Sequence, residues 1–418
     1  MTTPPPHGGP APQGQPDQQG QPGPYGQPVP QGQHGQPMQL RPGAHSQEPH
    51  AQGGHAPGPH AQGAPGTDAR FAPPRSERGA AADPAAGGAS APPPQALRLT
   101  EDDARLREVL HRVRHETAKA VVGQEAAVEG IVIGLLVQGH VLLEGVPGVA
   151  KTLLVRAVAR ALDLDSQRLQ FTPDLMPGDV TGSLVYDAKS GDFSFREGPV
   201  FTNLMIADEI NRTPPKSQSA LLEAMEERQV STDGITRRLP SPFLVAATQN
   251  PVEHEGTYPL PEAQLDRFLF KLVLDLPDRE TEFAILSRHA AGFDSRRLVD
   301  AGIERVAGPD ELLAAGARVS RVHCAPEVLA YIVDIVQATR RAPSLALGVS
   351  PRGATRLLAA AQAKAWLAGR GFVTPDDVKA LVPGTFRHRI TLRPEAQMEG
   401  AQVDRVLASI LDTVAVPR

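Results

Sequence analysis

The sequence predicts an α/β fold in which a parallel sheet is flanked by helices, with a C-terminal all-helical domain and a disordered N-terminal tail. Between residues 97 and 279, short apolar runs alternate with segments of helical periodicity, as in a parallel sheet covered on both faces. From 280 to 418 the periodicity is helical. Residues 1–96 are rich in Pro, Gly, Gln and His and contain few side chains to bury. These segments are the predicted core, helical domain and tail.

Composition and charge argue against several functional classes. The 42 basic and 47 acidic residues are intermixed and give a net charge of −5, so no broad field attracts nucleic acid or an anionic membrane. Cys324 is the only cysteine, which rules out an intramolecular disulfide and suits a reducing compartment. The first residues do not have the form of a signal peptide, and no run of about 18 apolar residues follows. We therefore expect a cytoplasmic protein.

The core is predicted to begin with helices. Thr100 precedes three acidic residues and an apolar helical pattern, so it has the form of an N-cap. Two more helices are expected over 124–137 and 151–162. Between these two, residues 140–144 form a short apolar run that ends at a glycine, which indicates a buried parallel strand.

Further strands, hairpins and helix starts follow. Buried strands are predicted over 204–207 and 243–247, because each apolar run leads into polar residues. Two hairpins are indicated by strand patterns on either side of glycine-containing turns. Their strands are expected at 183–186 with 193–196, and at 229–232 with 235–239 around Asp233-Gly234. In the helical domain, Asp310 and Thr374 are predicted helix starts.

A glycine-containing loop follows the first predicted strand and precedes a helix. It reads Gly145-Val146-Pro147-Gly148-Val149-Ala150-Lys151-Thr152. Glycines let backbone N–H groups face an anion, the lysine can reach β- and γ-phosphates, and the threonine can hold Mg²⁺. The usual Walker A pattern has glycine before the lysine, and we expect Ala150 to be tolerated there if its φ is negative. The alternative is an ordinary strand-to-helix turn.

Two further predicted strands end in polar residues that suit the same site. Asp208-Glu209 follows the strand at 204–207, where one carboxylate could bind the Mg²⁺ shell and the other orient the attacking water. Asn250, after the strand at 243–247, could hydrogen-bond the γ-phosphate or that water. The alternatives are a solvated acidic pair and a plain Asn-Pro turn.

Arg267 lies near the end of a predicted helix in Gln264-Leu265-Asp266-Arg267-Phe268. An arginine here could reach the γ-phosphate bound to a neighbouring subunit and stabilise charge during phosphoryl transfer. A surface salt bridge with Asp266 or Glu262 is an equally good interpretation of the sequence.

Taken together and in order, these motifs resemble the AAA+ superfamily and, more narrowly, the MoxR family. The resemblance covers about 97–418 and rests on Val121-Val122-Gly123-Gln124, Leu143-Glu144 with the loop from Gly145 to Thr152, Phe171-Thr172-Pro173-Asp174-Leu175-Met176-Pro177, Asp208-Glu209-Ile210-Asn211-Arg212-Thr213-Pro214-Pro215-Lys216, Ala220-Leu221-Leu222-Glu223-Ala224-Met225-Glu226-Glu227, Thr248-Gln249-Asn250-Pro251 and Leu265-Asp266-Arg267-Phe268. In that family, alanine before the lysine is the usual form. The tail lies outside the resemblance.

The resemblance implies a hexameric, chaperone-like AAA+ ATPase with ATP and Mg²⁺ as its cofactors. Partners of the family usually carry von Willebrand factor A domains. By the same resemblance, Lys151 and Thr152 are Walker A residues, Asp208 and Glu209 are Walker B residues, Asn250 is sensor one, Arg267 is an arginine finger and Arg352 is sensor two, acting in cis or in trans. Gly123 and Gln124 join the loop from Gly145 to Thr152 in binding nucleotide.

Three functions are compatible with these residues. The favoured one is an ATPase that hydrolyses Mg-ATP and remodels partner proteins. A second is a scaffold that binds ATP in order to assemble but scarcely hydrolyses it. A third is a DNA-directed motor, for which the basic residues Arg387, His388, Arg389 and Arg393 are the sequence feature, although a solvated surface cluster is the commoner explanation.

Overall fold

A computed structural model describes residues 98–189, 191–232, 234–250 and 257–417. The predicted tail, Asp233 in one hairpin turn and Pro251 after the third polar motif lie outside these residues. The strands are β1 His140–Glu144, β2 Ser166–Gln170, β3 Gly182–Asp187, β4 Asp192–Glu197, β5 Leu204–Asp208, β6 Gln229–Thr232, β7 Ile235–Arg238, β8 Leu244–Gln249, β9 Phe268–Val273, β10 Leu345–Leu347 and β11 Thr391–Leu392.

The helices in the described part of the chain flank the sheet and form most of the C-terminal half. Their bounds are α1 Glu101–Ala118, α2 Glu125–Leu136, α3 Lys151–Ala161, α4 Pro177–Thr181, α5 Pro215–Glu227, α6 Glu262–Leu265, α7 Arg279–Ala290, α8 Pro309–Val319, α9 Pro326–Arg341, α10 Pro351–Leu367, α11 Pro375–Phe386, α12 Pro394–Met398 and α13 Val403–Thr413. Short 3₁₀ turns occur at Ile210–Arg212 and Leu298–Ala301.

The central sheet has five parallel strands in the order β2-β5-β8-β1-β9. Its central strands are apolar on both faces because helices cover both sides: Val141 and Leu143 of β1 pack into one hydrophobic cluster, whereas Leu142 packs into the other. Glu144 at the end of β1 is in register with Gln249 at the end of β8. The loops after β1, β5 and β8 therefore meet at one edge, which is the usual ligand edge of such sheets.

Local signals at the predicted helix starts are mostly confirmed. Thr100 caps α1, and its side chain accepts a hydrogen bond from the backbone N–H of Asp103, whose carboxylate bonds back to the N–H of Thr100. Thr374 forms the same capping box before α11. The helix start predicted at Asp310 is one residue late, because Gly308 is the N-cap and Pro309 fixes the first helical position of α8.

Strands at the sheet edges were missed by the periodicity argument. β2 is an edge strand with polar, exposed residues in its first half, so it lacks the apolar run of a central strand. β9 forms the other edge and begins directly after Arg267. A small antiparallel pair, β10 with β11, also interrupts the region predicted to be helical. Both predicted hairpins are present, as β3 with β4 and β6 with β7.

The interpretation of the basic cluster near residue 389 as a solvated face is wrong for His388 and Arg389, which are buried, whereas Arg393 is exposed. Arg389 has a side chain that is 1% exposed and pairs with Asp266 at 2.7 Å. Its guanidinium also donates to the backbone carbonyl of Phe268, and His388 is buried beside it. These contacts join the end of α11 to the start of β9. The cluster therefore has a structural explanation.

No helix in the described ranges is both long and apolar enough to cross a lipid bilayer.

Candidate nucleotide site

The loop between β1 and α3 has the backbone geometry of an anion cradle. Gly148 has φ +87°, and an added Cβ would meet no atom within 4 Å, so this position faces open space. Ala150, immediately before α3, has φ +63°. The condition that Ala150 is tolerated if its φ is negative is therefore not met: alanine adopts a left-handed conformation here, at a cost of about 1 kcal/mol.

Lys151 begins α3 and lies across the ends of two strands. Its Nζ donates to the backbone carbonyls of Gly145, at 2.5 Å, and of Gln249, at 3.3 Å. The ammonium is thus held between the loop and the end of β8. From this position it faces the edge of the sheet where a phosphate would lie above the loop.

Asp208, the last residue of β5, is the centre of a dense hydrogen-bond network. Its Oδ2 accepts from Thr152 Oγ1 at 3.1 Å and from Arg168 Nη2 at 2.7 Å and Nε at 3.0 Å. Its Oδ1 accepts from Thr248 Oγ1 at 2.5 Å. Burial opposes ionisation, but the hydrogen bonds from Thr248 and Arg168 outweigh it and hold the pKa of Asp208 below its usual value.

Glu209 follows Asp208 with a left-handed backbone, φ +56°. Its N–H donates to Thr248 Oγ1 at 2.9 Å, which stabilises the turn. The carboxylate accepts from Gln170 Nε2 at 2.7 Å and pairs with Arg212 Nε at 3.1 Å. Non-glycine residues rarely adopt this conformation, and such strain concentrates at functional sites.

A cavity of about 610 Å³ opens over these residues, and we call it the strand-end cavity. Its volume lies in the range of small-molecule sites. Among the predicted residues it is lined by Gln124, Pro147, Gly148, Val149, Ala150, Lys151, Thr152, Asp208, Glu209 and Asn250. The structure therefore brings the three polar motifs together around one space.

Three predicted nucleotide-binding residues support the cavity wall without lining it. A Cβ on Gly145 would lie 2.6 Å from the carbonyl oxygen of Leu274, so this glycine permits close packing. Gly123 has φ +78°, and a Cβ there would lie 2.8 Å from a methyl group of Thr281. Val146 is partly buried against the core. The structure thus shows these three residues packed against their neighbours beside the cavity.

Several cavity residues were not predicted from the sequence. Apolar side chains of Val121, Val122, Pro277, Ile285 and Phe293 line one part, and Arg156, Arg168, Arg288 and Arg296 add positive charge. Arg288 is held by the carbonyls of Ala118 and Lys119. With Lys151, these cations outnumber Asp208 and Glu209, so the cavity suits an anionic ligand with an apolar part.

Arg168 and Gln170 could have been found from their spacing. Residues two apart on a strand point to the same face, so these two polar side chains would have been placed together once β2 was recognised. Because β2 was not predicted, Arg168 and Gln170 were not placed on a strand and were not recognised. In the structure, Arg168 Nη2 also donates to Gln170 Oε1 at 2.8 Å.

The two arginines predicted as catalytic, Arg267 and Arg352, lie outside the lining of the strand-end cavity. Both bind one carboxylate at the end of α5: Arg267 Nε is 3.0 Å from Glu226 Oε2, and Arg352 Nη2 is 2.5 Å from Glu226 Oε1. We call these three residues the Glu226 cluster. The salt-bridge partners expected for Arg267 were wrong, because Asp266 binds Arg389 and Glu262 accepts from Thr391.

The residues around Asp208 fit a magnesium nucleotide chemically. Thr152 and Asp208 present hard oxygen ligands that touch each other, as needed to hold Mg²⁺ directly or through water. The open Gly148 turn and the N-terminus of α3 can accept phosphate oxygens. The apolar part of the cavity can accept a base.

Comparison with known protein families also indicates an ATPase fold. Residues 140–270 match the ATPase family associated with various cellular activities (AAA), and residues 337–410 match the AAA lid domain. A crystal structure of an ATPase candidate from Cytophaga hutchinsonii is 39% identical, with a TM-score of 0.70, and covers 76% of this chain and 98% of that chain.

Relatives that are similar in sequence also match most of this chain. The uncharacterized protein YeaC of Bacillus subtilis is 48% identical across 75% of this chain and 96% of its own length. Chaperone MoxR1 of Mycobacterium tuberculosis is 42% identical across 74% and 82%, and protein MoxR of Methylorubrum extorquens is 35% identical across 76% and 99%. The fold, the strand-end motifs and these relatives agree: the chain belongs to the MoxR family of AAA+ ATPases.

Proposed function

We propose that this chain binds Mg-ATP in the strand-end cavity, hydrolyses it, and uses the cycle to remodel partner proteins. One observation carries the proposal: Lys151, Thr152, Asp208, Glu209 and Asn250, from the ends of three neighbouring strands, face one cavity. An ammonium, a hydroxyl, two carboxylates and an amide are the groups that phosphoryl transfer to water requires.

Different residues of the chain carry out different steps of this hydrolysis. The loop amides and Lys151 bind the β- and γ-phosphates, and Asn250 holds the γ-phosphate or the water. Glu209 orients that water and accepts its proton as the water oxygen attacks phosphorus and the bond to ADP breaks. When bound through Thr152 and Asp208, Mg²⁺ neutralises charge on the phosphate oxygens. Glu209 first has to leave Gln170 and Arg212.

We further propose that the chain acts as a ring, with six subunits by family resemblance, and that Arg267 and Arg352 serve a neighbouring subunit. Two observations support this. Both arginines bind Glu226 and do not line the cavity of their own chain. In addition, α7 lines the cavity through Ile285, while its Phe283 and Leu286 are 69% and 67% exposed, as at an unpaired interface.

The remodelling role rests on the family. One relative is named a chaperone, and the resemblance favours a partner with a von Willebrand factor A domain. We place the activity in the cytoplasm, as the single cysteine suggests. The predicted division into a core, 97–279, and a lid, 280–418, remains part of this proposal. The DNA-directed alternative loses its main support because Arg389 and His388 are buried.

Phosphate release by Glu209→Gln tests the ATPase proposal. We expect turnover to fall about a hundredfold or more while Mg-ATP affinity changes little, because the carboxylate acts on water and not on nucleotide. The exposed α5 residue Glu223 provides the matched control, Glu223→Gln. Equal turnover by wild type and Glu209→Gln would reject the role of Glu209.

The same assay separates the other functions. Tight ATP binding with negligible phosphate release, even with partner protein added, would support the scaffold. Turnover that rises with DNA and falls with salt would support the motor. Proteins retained by Glu209→Gln in ATP would identify the client.

A further inference from the structure

The side chain of Arg168 binds the carboxylate that the proposed function assigns to the metal. Two of its nitrogens lie 2.7 and 3.0 Å from Asp208 Oδ2, and Thr152 Oγ1 adds a third donor at 3.1 Å. A carboxylate oxygen has about two lone-pair sites in its plane, so Oδ2 has none left for a metal ion or for water on a metal, and Oδ1 already accepts a hydrogen bond from Thr248 Oγ1.

The charges at the site also oppose binding of a metal ion at Asp208 while Arg168 is bound there. The Asp208 side chain is only 10% exposed and carries one negative charge, which the guanidinium of Arg168 already balances. A divalent ion at Thr152 and Asp208 would lie beside this guanidinium, and two cations in a partly buried site repel each other. The Arg168 side chain is 52% exposed, so it can move into solvent without crossing the core.

Displacement of Arg168 would also reach Glu209. Arg168 Nη2 bonds Gln170 Oε1 at 2.8 Å, and Gln170 Nε2 bonds Glu209 Oε2 at 2.7 Å. The four side chains form one chain of hydrogen bonds from the metal carboxylate to the proposed water-orienting carboxylate. When Arg168 moves away from Asp208, the Gln170 amide is free to turn.

We propose that Arg168 is a positioning residue that competes with the divalent metal for Asp208 and so sets how much Mg²⁺ the chain needs to bind nucleotide. This inference rests on the proposed function, because it assumes that Thr152 and Asp208 hold the metal of a bound nucleotide. It adds a competitor from the edge strand β2, whose departure accompanies metal binding.

The test is the ratio of ADP affinity in Mg²⁺ to ADP affinity in EDTA, measured by fluorescence of a labelled ADP on the full chain. For Arg168→Met we expect this ratio to rise about fivefold over wild type, the scale of a partly exposed ion pair. Arg156→Met is the matched control, since Arg156 lines the same cavity and no bond from it to Asp208 is seen in the described structure. It should weaken both affinities and leave the ratio unchanged.

Two further measurements keep the outcome clear. Arg168→Lys keeps the charge but loses the two-nitrogen contact, and its ratio should rise about twofold. Electron paramagnetic resonance of free Mn²⁺ should show tighter metal binding to the ADP complex of Arg168→Met than to that of wild type. If the ratios of Arg168→Met and Arg156→Met are equal while wild type binds Mg-ADP, the inference is overturned and the proposed function stands. If wild type binds no Mg-ADP, both are overturned.

Discussion

The strand-end cavity and the Glu226 cluster are both rich in charge, yet only in the cavity do the charged groups of one chain surround a space for a ligand. In the cavity, Lys151, Thr152, Asp208 and Glu209 converge on space large enough for a nucleotide. In the cluster, Arg267 and Arg352 share the one carboxylate of Glu226 and do not line the cavity. One chain therefore brings the proposed binding groups to the cavity, whereas its Arg267 and Arg352 lie outside the lining and fit the proposal that they act on a neighbouring subunit.

Arg267→Ala tests this division with the largest expected effect. We expect turnover to fall about a thousandfold, because an arginine finger stabilises transition-state charge, while nucleotide affinity stays within about twofold. The measurement is phosphate release beside labelled-nucleotide binding. Unchanged turnover would remove Arg267 from the mechanism.

Mixing two inactive variants tells cis from trans action. If Arg267 acts on a neighbour, equal amounts of Arg267→Ala and Lys151→Met assemble so that about a quarter of the sites combine an intact loop with an intact arginine. Turnover should then recover to about that fraction. If the mixture shows no turnover, Arg267 acts on the nucleotide of its own chain.

Arg389→Met measures how much the buried pair of Arg389 with Asp266 stabilises the fold next to Arg267. Burial lowers the pKa of Arg389 to about 10, although Asp266 opposes this, so the guanidinium is charged at neutral pH. Removing the cation leaves Asp266 without its main partner, and we expect the free energy of unfolding to fall by about 3 kcal/mol. Denaturant titration measures it. The control is Arg305→Met at an exposed pair with Asp163, where a loss under about 1 kcal/mol is expected; equal losses would contradict the account.

Lys151→Met tests the cavity half of the comparison. Losing a charge-assisted contact to two phosphates should weaken nucleotide binding about a hundredfold. Lys271→Met serves as the control, because Lys271 pairs with Glu144 at 2.7 Å near the same strand ends. An equal loss in both variants would indicate a general charge effect and not a specific phosphate contact.

His140 provides the smallest predicted effect, through pH. Burial lowers its pKa to about 4, and the ring is held neutral between the carbonyl of Met225 and the N–H of Val245. The folded pKa lies below the unfolded value of about 6.5, so this stability is present above pH 6.5 and is lost as pH falls toward 4.

Between pH 6.5 and 5 the loss from His140 should reach about 2 kcal/mol. Denaturant titrations at both pH values measure it, and His140→Gln should show a correspondingly smaller loss. His388, also buried with a lowered pKa, shifts stability in the same direction in both proteins. An identical loss in wild type and His140→Gln would contradict the assignment.

The central strands and their polar ends could be predicted because each combines an apolar run with an abrupt change to polar residues. That signal located β1, β5 and β8, and hence Lys151, Asp208 and Asn250. It failed at β2, where an exposed edge strand needs no apolar run, and Arg168 was missed with it. The positive φ of Ala150 and the shared partner Glu226 depend on tertiary geometry, which residue spacing does not encode.

Calorimetric titration of the full chain with a slowly hydrolysed ATP analogue and Mg²⁺ tests the central claim most directly. The account predicts saturable binding near one nucleotide per chain, much weakened in Lys151→Met. No detectable binding by folded wild-type protein would contradict the assignment of the strand-end cavity as a nucleotide site.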